Sequence, residues 1–127
     1  MSDIDSIVVC GVGAAGANLL IHMLYSHPEM TFTAADFDKV EDRNITPGTQ
    51  PYTKADLNRP KTQAIQKIAF MLKQKRISTA NKMLKSVKDI EDLVARPKST
   101  VIVDAFDNAE SRNLFLKLGK EYNVLHI

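Results

Sequence analysis

Cysteine is almost missing from this chain: Cys10 is the only one in 127 residues. That excludes an internal disulfide framework, and one cysteine with three dispersed histidines leaves no zinc-type cluster. Long apolar runs are missing too. None approaches a bilayer span, and the acidic N-terminus has neither a basic flank nor a signal-type apolar core. Charge of one sign is scarce, because a formal net charge of +2 is too small to argue for nucleic acid or a membrane surface. These absences predict a soluble cytoplasmic protein without a membrane partner. What remains is ordinary for a globular chain, with 44% hydrophobic and 25% charged residues. The length fits one domain, residues 1–127, large enough to bury a real core.

Apolar periodicity places the elements. Ser6-Ile7-Val8-Val9-Cys10 is a short apolar run stopped by a glycine, which reads as a buried parallel strand. A helix is expected over residues 14–25, with Ala15, Leu19 and Met23 on one face and Pro28 beyond its end. A second strand follows at 32–37. Residues 39–60 hold three prolines, Gly48 and many polar groups; a loop of that length in a small domain is more often functional than idle. Ile65, Ile68, Ala69 and Leu72 fall at helical spacing and predict a helix over 61–76. A weak alternation predicts a strand at 82–88, followed by a short helix around Ile90, Leu93 and Val94. Thr100-Val101-Ile102-Val103-Asp104-Ala105 is a strong buried strand, Ser111 to Tyr122 carries a helical pattern, and 124–127 reads as a fifth strand. Strands alternating with helices predict an α/β, Rossmann-like doubly wound sheet, mainly parallel, with helices on both faces. The chain stops inside its last apolar strand, which predicts the N-terminal part of a longer protein.

Four groups of residues carry chemistry. Gly11-Val12-Gly13-Ala14-Ala15-Gly16 sits where strand meets helix and has the spacing of a phosphate-binding turn, whose glycines let the backbone approach an anion at a helix N-terminus. Small residues also serve tight strand–helix packing. Twenty residues on, Asp36 and Asp38 stand two apart at a strand end and share one face; that distance from the glycines favours ribose contact by at least one of them over a pair of solvated loop acids or a turn cap. Lys61 opens a helix directly after Pro60, where a cation opposes the helix dipole; a phosphate partner would explain it, and a solvated lysine is the alternative. Asp104-Ala105-Phe106-Asp107-Asn108 ends the fourth strand, on the side where such folds bind ligands. An aspartate there suits Mg²⁺ held against ATP phosphates, while Asp107 and Asn108 both also suit capping of the next helix. Cys10, inside the first strand, reads as a small buried hydrophobe.

In their order and spacing, GVGAAG, DFDKVEDRN, the Pro60-Lys61 pair and VDAFDN followed by Arg112 resemble the adenylating domain shared by ThiF, MoeB and the ubiquitin-activating enzymes. The resemblance spans essentially the whole chain. It implies that ATP adenylates the C-terminal glycine carboxylate of a small ubiquitin-like sulfur-carrier protein, as in thiamine or molybdopterin biosynthesis, or a related acceptor such as a modified tRNA base. It further implies that Gly11, Gly13, Ala14 and Gly16 form the phosphate turn and that Asp36 binds the ribose with Asp38 close by. Asn44 would lie near the phosphates, Lys61 would neutralise the β and γ phosphates, and Asp107 would hold Mg²⁺. Two departures stand out: Ala14 occupies a position that is usually glycine, and Pro47 stands where an arginine is expected three residues after Asn44. Arg43 is the nearest substitute. Relatives commonly dimerise, so a homodimer is implied, with an arginine from the loop completing the site. Members also continue into a second half carrying a catalytic or zinc-binding cysteine set, absent here.

Two other function classes stay open. One is an NAD(P)- or FAD-binding domain of an oxidoreductase, although no hydride-transfer constellation accompanies the turn. The other is a non-catalytic nucleotide-binding module of the same fold.

Overall fold

Strand β1 (Ser6–Cys10) forms the centre of the sheet because both of its faces are apolar. Ile7 and Val9 point to one side and Val8 and Cys10 to the other, and all four are buried. The computed structural model describes residues 3–45, 48 and 50–127. Strands β2 (Thr31–Asp36), β3 (Ser78–Asn81), β4 (Thr100–Asp104) and β5 (Asn123–His126) complete one five-stranded sheet in the order β3-β2-β1-β4-β5. Every pairing is parallel. The chain winds outward from β1 through β2 to β3, then returns to β4 on the other side of β1. The point of reversal between β1 and β4 is where such sheets open a crevice at their carboxyl ends.

Helices α1 (Ala14–Ser26) and α2 (Lys61–Lys73) cover one face, and the short helices α3 (Val87–Glu91) and α4 (Ala109–Leu116) cover the other. Leu20 and Leu24 of α1 and Ile65 of α2 are fully buried with Ile7, Val9 and Phe32. Each such side chain contributes about 1.5–3 kcal/mol by leaving water. On the opposite face Ile90 and Phe115 close over Val8, Cys10 and Ile102. The expected Rossmann-like architecture with helices on both faces is what forms. Among the described residues no helix is long and apolar enough to cross a membrane.

The differences lie where apolar pattern fails. The strand expected at 82–88 is not there; β3 occupies Ser78–Asn81 instead, and the expected stretch is a loop leading into α3. As an edge strand β3 is exposed and polar, so its sequence lacks any apolar run. Ser86 caps α3, accepting the Asp89 N–H while the Asp89 side chain accepts the Ser86 N–H. Helix α2 stops at Lys73 rather than 76 because Gln74 adopts a left-handed conformation, φ 53°. Helix α4 ends at Leu116, before Gly119, short of the expected Tyr122.

The long segment after β2 is tied together at its two ends. Lys39 bridges Pro60, the Val40 N–H donates to the Arg59 carbonyl, and the Lys61 N–H donates to the Asp38 carbonyl. Val40 is completely buried in the gap this closes. The loop's described residues include two 3-10 turns, Asp42–Ile45 and Lys54–Asp56. Asp56, only 1% exposed, joins Lys67 of α2 in an ion pair and accepts the Thr53 N–H. Burial pushes the Asp56 carboxyl up, but the hydrogen bonds from Lys67 and Thr53 outweigh it and hold the pKa below the ordinary value.

Candidate functional site

The register sets the site. Cys10 lies beside Ala35 and Asp104, so the chain leaves β1, β2 and β4 at one level and brings Gly11, Asp36 and Ala105 to a common edge. Gly11 turns with φ +95°, a conformation side chains rarely adopt. A Cβ on Gly16 would sit 1.8 Å from the Gly11 carbonyl oxygen, so this glycine lets α1 start tight against the turn. Gly13 differs: nothing lies within 4 Å of the position a Cβ would take. The packing explanation accounts for the first and third glycines of the motif. It does not account for the middle one.

Gly13, Ala14 and Ala15 open onto a cavity of about 760 Å³, whose far wall carries Ala105, Phe106, Asp107, Asn108 and Arg112. Among the described residues no side chain caps α1, and its first turn holds no acidic residue. Its leading N–H groups and the positive end of its dipole are therefore available to an anion. A neighbouring cavity of about 560 Å³ shares Phe106 and Asn108 and is walled by Phe37, Met83 and Leu84. Phe37 and Met83 are exposed there, an apolar surface of the kind that receives a planar base. A third cavity, about 300 Å³, is lined mainly by apolar side chains such as Ile4, Ile7, Leu19 and Val101, and its His27 and Glu29 pair with each other.

Asp36 is almost completely buried, and both of its oxygens are engaged. Oδ2 accepts the Val12 N–H and Oδ1 the Asp38 N–H, each at 2.9 Å. The carboxylate thus fixes the glycine turn to the end of β2, and each oxygen keeps a second lone pair for a ribose hydroxyl. The Tyr52 hydroxyl donates to the Val12 carbonyl from the other side. Burial, then the Asp36 and Asp56 carboxylates, push the Tyr52 pKa well above its ordinary value, so the hydroxyl stays a donor. Cys10 is completely buried, and burial with the Asp104 and Asp36 charges pushes its thiol up, making it inert.

Lys61 is 6% exposed, and its ion pair is with Asp38 Oδ2 at 4.0 Å, a loose partner for a buried cation. The two residues that the sequence placed near phosphate and ribose are thus brought together. Asn108, not Asp107, caps α4: its Oδ1 accepts the Ser111 N–H at 2.7 Å. Asp107 lines the large cavity, and among the described residues it makes no hydrogen bond or ion pair. Among the described residues no cluster of three or more metal-type ligands exists. A single carboxylate beside an anion site nevertheless suits Mg²⁺, which takes one or two carboxylates and completes its shell with substrate phosphates and water.

Asn44 and Arg43 are placed otherwise. Asn44 is buried within the loop, its Oδ1 accepting the Glu41 N–H at 2.8 Å, and it lines neither cavity at the strand ends. Arg43 lies in a separate cleft with Glu41, Asp42, Leu57 and Asn58, its guanidinium 3.7 Å from Glu41. Pro47 lies outside the described residues. Sequence reasoning missed Tyr52, whose signal was a lone aromatic in a polar loop, and the contact of His126 with Asp104, for which there was none.

The family model described as ThiF family matches residues 3–127. Among curated proteins no sequence matches. Among solved structures the chain is similar to E. coli tRNA N6-threonylcarbamoyladenosine dehydratase, TcdA, with a TM-score of 0.78 and 14% identity over 96% of this chain and 51% of that one. It is similar to E. coli MccB solved with ATP, with a TM-score of 0.69 and 18% identity over 83% of this chain and 30% of that one. PaaA gives a TM-score of 0.67 and 22% identity over 78% of this chain and 30% of the other. At these identities the likeness is one of fold, and the chain spans about half or less of each matched chain.

Proposed function

Because this chain belongs to the ThiF family, we propose that it binds Mg·ATP and supports transfer of AMP to an acceptor carboxylate. An acceptor oxygen attacks the α-phosphorus, the bond from that phosphorus to the bridging oxygen breaks, and pyrophosphate leaves with the electron pair. Such a reaction gathers anions, so fixed donors and cations must absorb the charge. The glycine turn and the uncapped start of α1 supply N–H donors, and Arg112 and Lys61 supply cations. Asp36 and Asp38 are the ribose candidates, and the apolar wall of Phe37 and Met83 suits the base. Asp107 is the residue that would hold Mg²⁺, which when bound adds positive charge against the phosphates.

One observation carries this reading: a helix N-terminus shares its cavity with an arginine and a carboxylate, and among the described residues nothing caps the first or pairs with the last. A dinucleotide site has no need of the carboxylate. The relatives support ATP as the nucleotide, since MccB was solved with ATP and TcdA in complex with AMP. The acceptor class we infer is a carboxylate on a macromolecule, either a ubiquitin-like sulfur carrier or a tRNA-type acceptor, the latter in line with the name of TcdA. A homodimer belongs to the same proposal, with a loop arginine of one subunit reaching the other. The position of Arg43 in its own cleft also favours a second reading, a nucleotide-binding module without turnover.

Exchange of labelled pyrophosphate into ATP, measured with candidate carboxylate acceptors, separates the two. Acceptor-dependent exchange is expected for adenylation. ATP binding without exchange in the presence of every acceptor class would leave the module.

A further inference from the structure

The wall of the large cavity rests on side chains that the reading above does not use. Asp104, the last residue of β4, is completely buried, with Cys10 of β1 and His126 of β5 as its register neighbours. His126 Nδ1 lies 2.8 Å from Asp104 Oδ2. A carboxylate only accepts, so Nδ1 carries the proton and donates. The same oxygen lies 3.7 Å from Arg112 Nε, well beyond the ~2.8 Å of a charge-assisted hydrogen bond. The other oxygen accepts the Phe106 N–H at 3.3 Å. Arg112 itself is half exposed and lines the cavity with Gly13, Ala14 and Asp107.

Oδ2 of this buried carboxylate therefore faces two side-chain donors and hydrogen-bonds only one of them. We propose that His126 is a positioning residue: by occupying Asp104 Oδ2 it keeps Arg112 at ion-pair distance, with its guanidinium N–H groups available to an anion in the cavity. A buried carboxylate stripped of a donor is costly, and its nearest replacement is Arg112. Without His126 the guanidinium is drawn onto Asp104 and out of the cavity. The inference rests on the proposal that this cavity takes the phosphates of ATP, and it names the element that tunes its cation.

Calorimetric titration with ATP and with inorganic pyrophosphate, on H126A, H126N, H126Q, R112A and the R112A/H126A double variant, tests it. Asn places an amide N–H where Nδ1 stands, whereas the Gln amide lies one methylene farther out. H126A and H126Q are expected to lose about tenfold in affinity, the worth of one charge-assisted contact, and H126N to stay within about twofold. In the R112A background His126→Ala is expected to cost nothing more. Wild-type affinity in H126A, or the same loss on either background, overturns the inference. If H126A fails to fold, equal affinities of H126N and H126Q overturn it as well. A wild-type protein that binds pyrophosphate but not ATP defeats the nucleotide reading, while the pyrophosphate series still decides the role of His126. Binding of neither overturns both.

Discussion

Tyr52 and Val12, 40 positions apart in the chain, are joined by a hydrogen bond from the Tyr52 hydroxyl to the Val12 carbonyl. Val12 in turn donates its N–H to Asp36, so the residue between the first two glycines is clamped from the loop and from β2. The loop is thus part of the phosphate turn's geometry. Tyr52→Phe keeps the buried ring and removes only the donor, leaving a buried carbonyl short of a partner. Thermal unfolding is expected to show a loss of about 1 kcal/mol, and ATP affinity should fall with it. Unchanged affinity would mean that the clamp is purely structural.

The three glycines of the motif should respond differently to a methyl group. Gly16→Ala puts a Cβ into the Gly11 carbonyl and should destabilise by several kcal/mol, because backbone cannot move aside cheaply. Gly13→Ala meets no atom and should leave thermal stability within about 0.5 kcal/mol of wild type, while ATP affinity drops. Equal ATP affinity for Gly13→Ala and wild type would place the phosphates elsewhere.

Asp107 and Asn108 divide two tasks that the sequence left shared. Asn108→Ala should cost about 1 kcal/mol of stability as a lost cap, with little effect on the metal dependence of binding. Asp107→Ala should leave stability unchanged and weaken Mg·ATP binding far more than metal-free ATP binding. Calorimetry with and without Mg²⁺ checks this, and an equal loss in both buffers would remove Asp107 from the metal site.

The Asp56–Lys67 pair gives the loop an acid-sensitive anchor. The folded pKa of Asp56 lies below the ordinary 3.8, so its contribution is complete above that value and is lost as pH falls through the folded one. Stability followed by denaturant titration from pH 6 down should therefore decline more steeply in wild type than in Asp56→Asn. At neutral pH that variant should be less stable by about 2 kcal/mol, a figure reduced by the partial exposure of Lys67. Parallel pH profiles would show that the pair contributes nothing.

The elements legible in the sequence were those with buried apolar faces. The bounds of β1 and the start of α2 at Lys61 were read correctly, because Val8, Val9 and Ile65 must be covered from the sheet side. β3 was placed several residues late because an exposed edge strand needs no apolar run. The end of α2 was misplaced because Gln74 takes a left-handed turn that usually announces itself with glycine. The glycine turn, Asp36, Lys61 and Asp107 are legible as local motifs beside strand ends, and of these the turn and Asp107 line the large cavity. The contacts of Tyr52 with Val12 and of His126 with Asp104 are not legible, since each joins residues over 20 positions apart and depends on sheet register. Arg43 and Asn44 show the converse: a motif-like position does not by itself put a side chain in the cavity.

The most direct test of the account is calorimetric titration of the wild-type protein with ATP and with NAD in Mg²⁺ buffer. The uncapped α1 N-terminus, Arg112, Lys61 and Asp107 together favour a metal-bound triphosphate, and ATP is expected to bind more tightly than NAD. Tighter binding of NAD, or ATP binding indifferent to Mg²⁺, would contradict it.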